Sequence, residues 1–325
     1  MNFSNILIRA TNWVGDAVMC LPALRVIRER FPHARITILA KPWVADLYCR
    51  ENFSDEVLPY TPDSRKQMSA FAWSLRPRRF DCAILLQNAF EAALIARIAG
   101  IPTRIGYNRD GRGLLLTNAV PLPKPGEIPR HQCYYYLELL RRAGLIDALP
   151  ASDVIHLDGP QVACTRIVGV SPGAAYGSAK RWLPERFAAA AAQVARARQA
   201  SIALFGSQSE RALCEQVAAL LTGLPVTNYA GQTTLAQFID LAARCEVFLT
   251  NDSGAMHIAS SLGVPTVAIF GATDHLATGP TGSHSVVVRQ PVDCSPCLLR
   301  KCPIDHRCMT GVAPERVAEE ALRLL

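Results

Sequence analysis

The sequence lacks most of the features that classify a chain by inspection. Its longest apolar runs, such as Val264 to Phe270, fall far short of the ~20 residues a membrane-spanning helix needs. Met1-Asn2-Phe3-Ser4-Asn5 leads straight into the strand-like Ile6-Leu7-Ile8, with no basic n-region, apolar h-region or small-residue cleavage site. A cytoplasmic protein is expected. No G-x-G-x-x-G follows a strand and no G-x-x-x-x-G-K-[ST] occurs, which removes the dinucleotide fingerprint and the P-loop. No repeat is short enough to mark a solenoid.

What is present is bulk suited to two α/β domains: 325 residues, half of them hydrophobic. The net charge of +7 is unevenly placed. Residues 1–150 carry 20 Lys/Arg against 13 Asp/Glu, and residues 151–325 carry 14 against 14, so the whole excess lies in the first half. Such a half either attracts an anionic macromolecule or membrane surface or is simply an Arg-rich solvated surface. Of 11 cysteines, seven are scattered (Cys20, Cys49, Cys82, Cys133, Cys164, Cys214, Cys245) and read as reduced core filler.

Strand-like and helical runs alternate. Ile6–Arg9, Ile36–Ala40 and Cys82–Leu86 read as strands, with a helix over Asp16–Arg30 and another over Ala89–Ile98 ending at Gly100. A proline-rich stretch from Pro121 to Pro160 interrupts the pattern and contains one helical segment, Gln132–Ala143. The pattern then restarts: strands at Ile167–Val170, Ile202–Phe205, Val247–Thr250 and Thr266–Phe270; helices at Pro184–Arg198, Glu210–Leu221, Thr234–Ala243, Ser253–Leu262 and Pro314–Leu325. The fold class expected is α/β, two doubly wound domains in tandem, 1–155 and 156–325. Such sheets bind ligands beyond the carboxyl ends of their strands.

Three strand-to-helix turns have anion-binding chemistry. Thr250-Asn251-Asp252-Ser253-Gly254 closes a strand and opens a helix, where backbone N–H groups and the helix dipole favour an anion. His257 lies one turn further along the same face. The alternative is an ordinary cap by Asp252 or Ser253. Ser171-Pro172-Gly173-Ala174 opens a long loop ending in Lys180-Arg181-Trp182, whose cations suit phosphate oxygens; the alternative is a solvated basic pair above a packed Trp182. Phe205-Gly206-Ser207 is placed to reach a ribose or base. In the first half, Asp16 follows Asn12-Trp13-Val14-Gly15 where the first helix begins. It is a candidate general base, although an N-cap alone would explain an Asp there.

Together these residues resemble glycosyltransferase family 9, the lipopolysaccharide heptosyltransferases, with the type II enzymes nearest. The likeness rests on Trp13-Val14-Gly15-Asp16 with Leu21-Pro22-Ala23-Leu24, on Ser171-Pro172-Gly173-Ala174 with Ala179-Lys180-Arg181-Trp182, and on Thr250 to His257, in that order. The resemblance implies a GT-B fold, two Rossmann-like domains with a cleft between them, and inversion by direct displacement of ADP. It makes Asp16 the base and Lys180 the stabiliser of the departing diphosphate. Ser171, Gly173, Ala174, Arg181, Ser207, Asp252, Ser253, Gly254, Ala255 and His257 become donor-binding. Asn12, Trp13, Arg109 and Arg112 become acceptor-binding. The implied partners are ADP-heptose, a phosphorylated lipid-linked core oligosaccharide and the anionic inner membrane, met peripherally, and no nucleic acid. Arg76, Arg78, Arg79, Arg104, Arg109 and Arg112 are candidates to face acceptor phosphates or the anionic membrane surface. Family members need no divalent cation, and the chain contains no D-x-D. Open alternatives are a type I or III heptosyltransferase and a GT-B sugar-nucleotide epimerase. The resemblance also leaves open a return of the final helix, 314–325, onto the first domain.

Cys294-x2-Cys297-x4-Cys302-x5-Cys308, with His306 between, is dense enough for a structural zinc or iron–sulfur group. It lacks the paired spacing of a zinc ribbon, and the alternative is a reduced loop before the last helix.

Overall fold

The computed structural model describes residues 2–152, 154–160 and 165–325. Cys164 lies outside them. The chain divides into two compact units, Met1–Asp153 and Val154–Leu325.

The first unit is built on six parallel strands: β1 (Asn5–Arg9), β2 (Arg35–Ala40), β3 (Glu56–Pro59), β4 (Cys82–Leu85), β5 (Thr103–Tyr107) and β6 (Asn118–Val120). Their order is β3-β2-β1-β4-β5-β6. The second unit repeats the plan with β7 (Ile167–Ser171), β8 (Ser201–Leu204), β9 (Val226–Asn228), β10 (Val247–Asn251), β11 (Thr266–Phe270) and β12 (Ser285–Arg289). Their order is β12-β11-β10-β7-β8-β9. In each sheet the winding reverses beside the first strand, between β1 and β4 and between β7 and β10. Those are the switch points at which the crossover loops part and leave a crevice.

Central strands are covered on both faces, so they read as unbroken apolar runs: Ile6, Leu7 and Ile8, or Val247, Phe248 and Leu249, are all buried. Several helices begin at proline, as at Pro42, Pro184 and Pro314, where the missing N–H has no intrahelical partner to lose. The expected helix over Asp16–Arg30 is instead two, Val14–Met19 and Leu21–Arg30. Pro22 cannot donate to the preceding turn, and the chain breaks at Cys20. Of the scattered cysteines, Cys20, Cys82, Cys133, Cys214 and Cys245 are buried, but Cys49 is exposed. The final helix, Pro314–Arg323, lays Val317, Ala318 and Ala321 into the core of the second unit, against helix Pro184–Arg198. Its apolar face is thus used within that unit. Among the described residues no helix is long and apolar enough to cross a membrane.

Candidate active site

At the switch point of the second sheet, the ends of β7 and β10 are tied together by Asn251, which is fully buried. Its Oδ1 accepts from the Trp182 N–H at 2.9 Å, and its Nδ2 donates to the carbonyls of Pro172 at 2.8 Å and Gly173 at 3.4 Å. One side chain therefore closes both ends of the loop that carries Lys180. Trp182 anchors the loop's exit, buried edge-on against Phe187.

The loop brings the Lys180 ammonium to Asp252 Oδ2, 2.5 Å away, with only 13% and 4% of the two side chains exposed. Thr273, beyond β11, donates to the same oxygen at 2.5 Å. Asp252 is therefore no helix cap. Ser253 does occupy the cap position of helix Gly254–Ser261, but its hydroxyl pairs with Thr250 Oγ1 at 3.2 Å and not with the helix's own amides. The capping alternative fails for both residues. A helix N-terminus without a side-chain cap beside an oriented ammonium is chemistry for an anion. Lys180 also stands 4.8 Å from the Tyr176 ring centroid, a cation–π contact that limits its swing.

The remaining residues expected at the donor sort by position. Ser171 and Ala174 are buried, and Gly254 and Ala255 open the helix, with His257 buried one turn on. A Cβ at Gly173 would lie 2.1 Å from Glu210 Oε1, so a larger residue there would displace that carboxylate. Glu210 in turn accepts from Ser207 N–H at 2.9 Å and Ser207 Oγ at 2.8 Å in a capping box. The Arg181 guanidinium lies on the loop's own Ala174 carbonyl, at 3.2 and 3.3 Å, so it shapes the loop.

At the switch point of the first sheet, Asp16 lies inside the first turn of helix Val14–Met19. The cap position belongs to Trp13, which corrects the N-cap alternative. The Asp16 carboxylate is half-buried, and its Oδ1 accepts from the Tyr136 hydroxyl at 3.1 Å. Burial, and then the Asp16 charge, push the Tyr136 phenol well above its ordinary pKa, so it remains a donor at any physiological pH. Beneath the loop the buried Arg9 guanidinium donates to the carbonyls of Ala10 and Leu39 and to Asn12 Oδ1. Burial pulls its pKa down to about 10, opposed by the Glu91 charge, so it stays cationic at neutral pH. A fixed positive charge thus underlies the turn that carries the carboxylate.

The arginines expected to meet an anionic acceptor do not act as one set. Strand polarity separates them. Arg76, Arg78 and Arg79 precede β4 and Arg104 opens β5, so all four lie at the amino edge, away from the Asp16 turn. Arg78 pairs with Glu56, Arg76 donates to the Ile98 carbonyl, and Arg104 donates to the Leu115 carbonyl. Arg109 and Arg112 follow the carboxyl end of β5, but Arg112 is fully buried on the carbonyls of Tyr107 and Gln87 and on Asn88 Oδ1. Arg112 holds the loop after β4 and is removed from the acceptor set. Arg109, with 43% of its side chain exposed, remains. Asn12 and the exposed Trp13 adjoin Asp16, and the Asn12 carbonyl accepts from Trp43 Nε1.

The cysteine cluster does not assemble as a metal set. Among the described residues no three His, Cys, Asp or Glu side chains are placed to share an ion. Cys294 is exposed, Cys297 and Cys302 are half-buried, and Cys308 is buried, its sulfur packed against Gly271. They remain electrostatic neighbours. Burial first, then Cys294, Cys302 and Cys297, raise the Cys308 thiol above its ordinary pKa.

Tyr136, Asn251, Thr273, Glu210 and Tyr176 are site neighbours that motif reading passed over. Asn251 lies inside a quoted motif, and Thr273 follows a strand end, which is a usable signal. Tyr136 is 120 positions from Asp16, and nothing local marks it.

Two doubly wound sheets of identical strand order, the second holding an ammonium at its switch point, define a two-domain nucleotide-binding α/β enzyme of the GT-B class. Residues 68–307 match the sequence profile described as glycosyltransferase family 9 (heptosyltransferase). The chain is 30% identical to lipooligosaccharide heptosyltransferase 2 of Campylobacter jejuni, over 98% of each chain. It is also 30% identical to lipopolysaccharide heptosyltransferase 2 of Escherichia coli K12, again over 98% of each. The solved ADP-heptose LPS heptosyltransferase II of E. coli superposes with a TM-score of 0.84 at 29% identity, covering 98% of both chains. The chain belongs to glycosyltransferase family 9 and is a glycosyltransferase.

Proposed function

We propose that this enzyme transfers a heptose from ADP-heptose to the inner core of lipopolysaccharide, with inversion at the anomeric carbon. The observation that carries the reading is the Lys180 ammonium held on Asp252 beside the helix N-terminus that Ser253 leaves without a side-chain cap. That arrangement suits the diphosphate of a sugar nucleotide. Asp16 accepts the proton of the acceptor hydroxyl while its oxygen attacks the anomeric carbon. The bond from that carbon to the diphosphate oxygen breaks, the electron pair leaves with ADP, and Lys180 offsets the charge that develops there. The transfer uses no cofactor.

The acceptor is a phosphorylated, lipid-linked core oligosaccharide reached by peripheral contact with an anionic membrane on the cytoplasmic side. Supporting this are exposed apolar side chains beyond the carboxyl ends of β1, β2, β4 and β5, namely Trp13, Trp43, Phe90 and Leu114, with Arg109 among them. Relatives of near-complete overlap carry the heptosyltransferase 2 name, so the type I, type III and epimerase alternatives are not favoured.

The test is incubation with ADP-heptose with and without a heptose-bearing core acceptor. ADP release that requires the acceptor is the expected result; release without it overturns the reading. Asp16→Asn should lose transfer and keep donor affinity, and an active Asp16→Asn enzyme would remove the base.

A further inference from the structure

The cysteine-rich segment contacts both loops that build the anion site. Toward the Lys180 loop, the Arg300 carbonyl accepts from the Ala179 N–H at 3.1 Å, and the Leu298 carbonyl accepts from the Tyr176 hydroxyl at 2.7 Å. The Arg300 guanidinium covers the same Tyr176 ring that Lys180 faces, 5.3 Å from its centroid. His306 Nε2 meets the Ala179 carbonyl at 3.0 Å. A carbonyl only accepts, so Nε2 bears the proton. Both backbone groups of Ala179, the residue immediately before Lys180, are therefore held by this segment.

Toward the Thr273 loop, Ser295 Oγ donates to the Gly271 carbonyl at 2.6 Å and the Leu298 N–H donates to the Ala272 carbonyl at 2.8 Å. Two non-glycine residues of the segment, Leu298 and His306, hold φ of +57°, in the left-handed region. Side chains disfavour that conformation, and it persists only where surroundings enforce it. Gly177 completes the fit: a Cβ there would lie 2.2 Å from the Arg300 carbonyl oxygen.

We infer that the segment from Cys294 to Cys308 is a strut that sets Lys180 and Thr273 against Asp252, with His306 as the positioning residue of Lys180, acting through the Ala179 carbonyl. The inference rests on the donor-site reading above.

The experiment compares His306→Ala, His306→Gln and Lys180→Ala, singly and with His306→Ala and Lys180→Ala combined. The readouts are KM for ADP-heptose, KM for the core acceptor, and Kd for ADP by calorimetry. His306→Ala should raise the donor KM and the ADP Kd about fivefold to tenfold, the scale of one lost neutral hydrogen bond, and leave the acceptor KM unchanged. Gln supplies a side-chain N–H to the same carbonyl and should restore both constants to within about twofold. In the Lys180→Ala background, His306→Ala should add less than about twofold, because the two act as a unit. Equal loss in Ala and Gln, additive losses, or a shift in the acceptor KM would each overturn the strut. If Lys180→Ala itself leaves donor kinetics unchanged, the donor-site reading fails and the strut with it; a severe Lys180→Ala beside a silent His306→Ala defeats the strut alone. Should His306→Ala not fold, Gly177→Ala probes the same fit from the other side. A fivefold higher donor KM with an unchanged acceptor KM is expected, and wild-type donor kinetics would overturn the proposal.

Discussion

The Tyr136 hydroxyl donates to Asp16 Oδ1 over 3.1 Å, joining helix Cys133–Arg142 to the first turn of helix Val14–Met19. On the proposed role of Asp16 as base, this donor helps to orient the carboxylate that takes up the proton. Tyr136→Phe should lower kcat about tenfold, within the range of a hydrogen bond to a charged group, while the KM for ADP-heptose stays near wild type. Steady-state kinetics check this; an unchanged kcat would remove Tyr136 from the site.

Asn251 makes a prediction that separates shape from chemistry. Asn251→Ala strands the Trp182 N–H and the Pro172 carbonyl inside the protein, each at a cost of about 1–3 kcal/mol. Asn251→Asp keeps the volume and the acceptor but turns a carboxylate oxygen toward the Pro172 carbonyl. Both variants should raise the donor KM about tenfold and lower Tm, with Asp no better than Ala. Rescue by Asp would mean that the amide N–H is not what holds the loop.

The same two residues mark what was legible in the sequence. Strands covered on both faces, such as β1, β10 and β11, were readable as apolar runs. The edges β3, β6, β9 and β12 are half-exposed, and their mixed composition hid them. β5 was hidden differently, by Arg104 and Gly106 inside it. In the site, the loops around Lys180 and Asp252 were readable because turn chemistry is local. Their mutual pairing across 72 positions was not, nor were Tyr136 on Asp16 and His306 on Ala179, because sheet topology alone brings them together.

Strand polarity also makes the arginines testable as two groups. Arg109→Glu, at the carboxyl edge, should raise the acceptor KM about fivefold and leave ADP binding alone. Arg78→Glu, at the amino edge, should leave the acceptor KM unchanged and cost at most about 1 kcal/mol of stability, since its pair with Glu56 is partly solvated. Equal effects on the acceptor KM would refute the sorting.

The transfer proposed above uses no cofactor, which predicts a kcat indifferent to chelators. In protein purified without them, less than about 0.2 metal per chain would count against a structural site at the cysteines, since such sites normally fill. EDTA should leave kcat unchanged. Near-stoichiometric zinc or iron would place a structural group at the cysteines, and a lost kcat would contradict the cofactor-free chemistry.

Glu138 gives the first unit an acid-sensitive point. Its side chain is 1% exposed and is gripped by Arg141 at 2.7 Å and Arg142 at 2.6 Å, with Arg142 also reaching Glu127. Hydrogen bonds from Arg141, opposed by burial and reinforced by Arg142, hold the Glu138 carboxyl below its ordinary range. A carboxylate with a lower pKa folded than unfolded contributes fully above its unfolded value, about 4.3, and its contribution fades as pH falls through the folded value. Glu138→Gln should therefore lower stability at pH 7, by about 1 kcal/mol after screening, because both arginines that lose their carboxylate are partly solvated. The difference from wild type should narrow steadily below pH 4.3, where the native carboxyl itself takes up a proton. Thermal melts of both proteins between pH 3.5 and 7.5 measure it. A gap that stays constant, or widens toward acid, would place the stabilisation elsewhere than in the charge of Glu138.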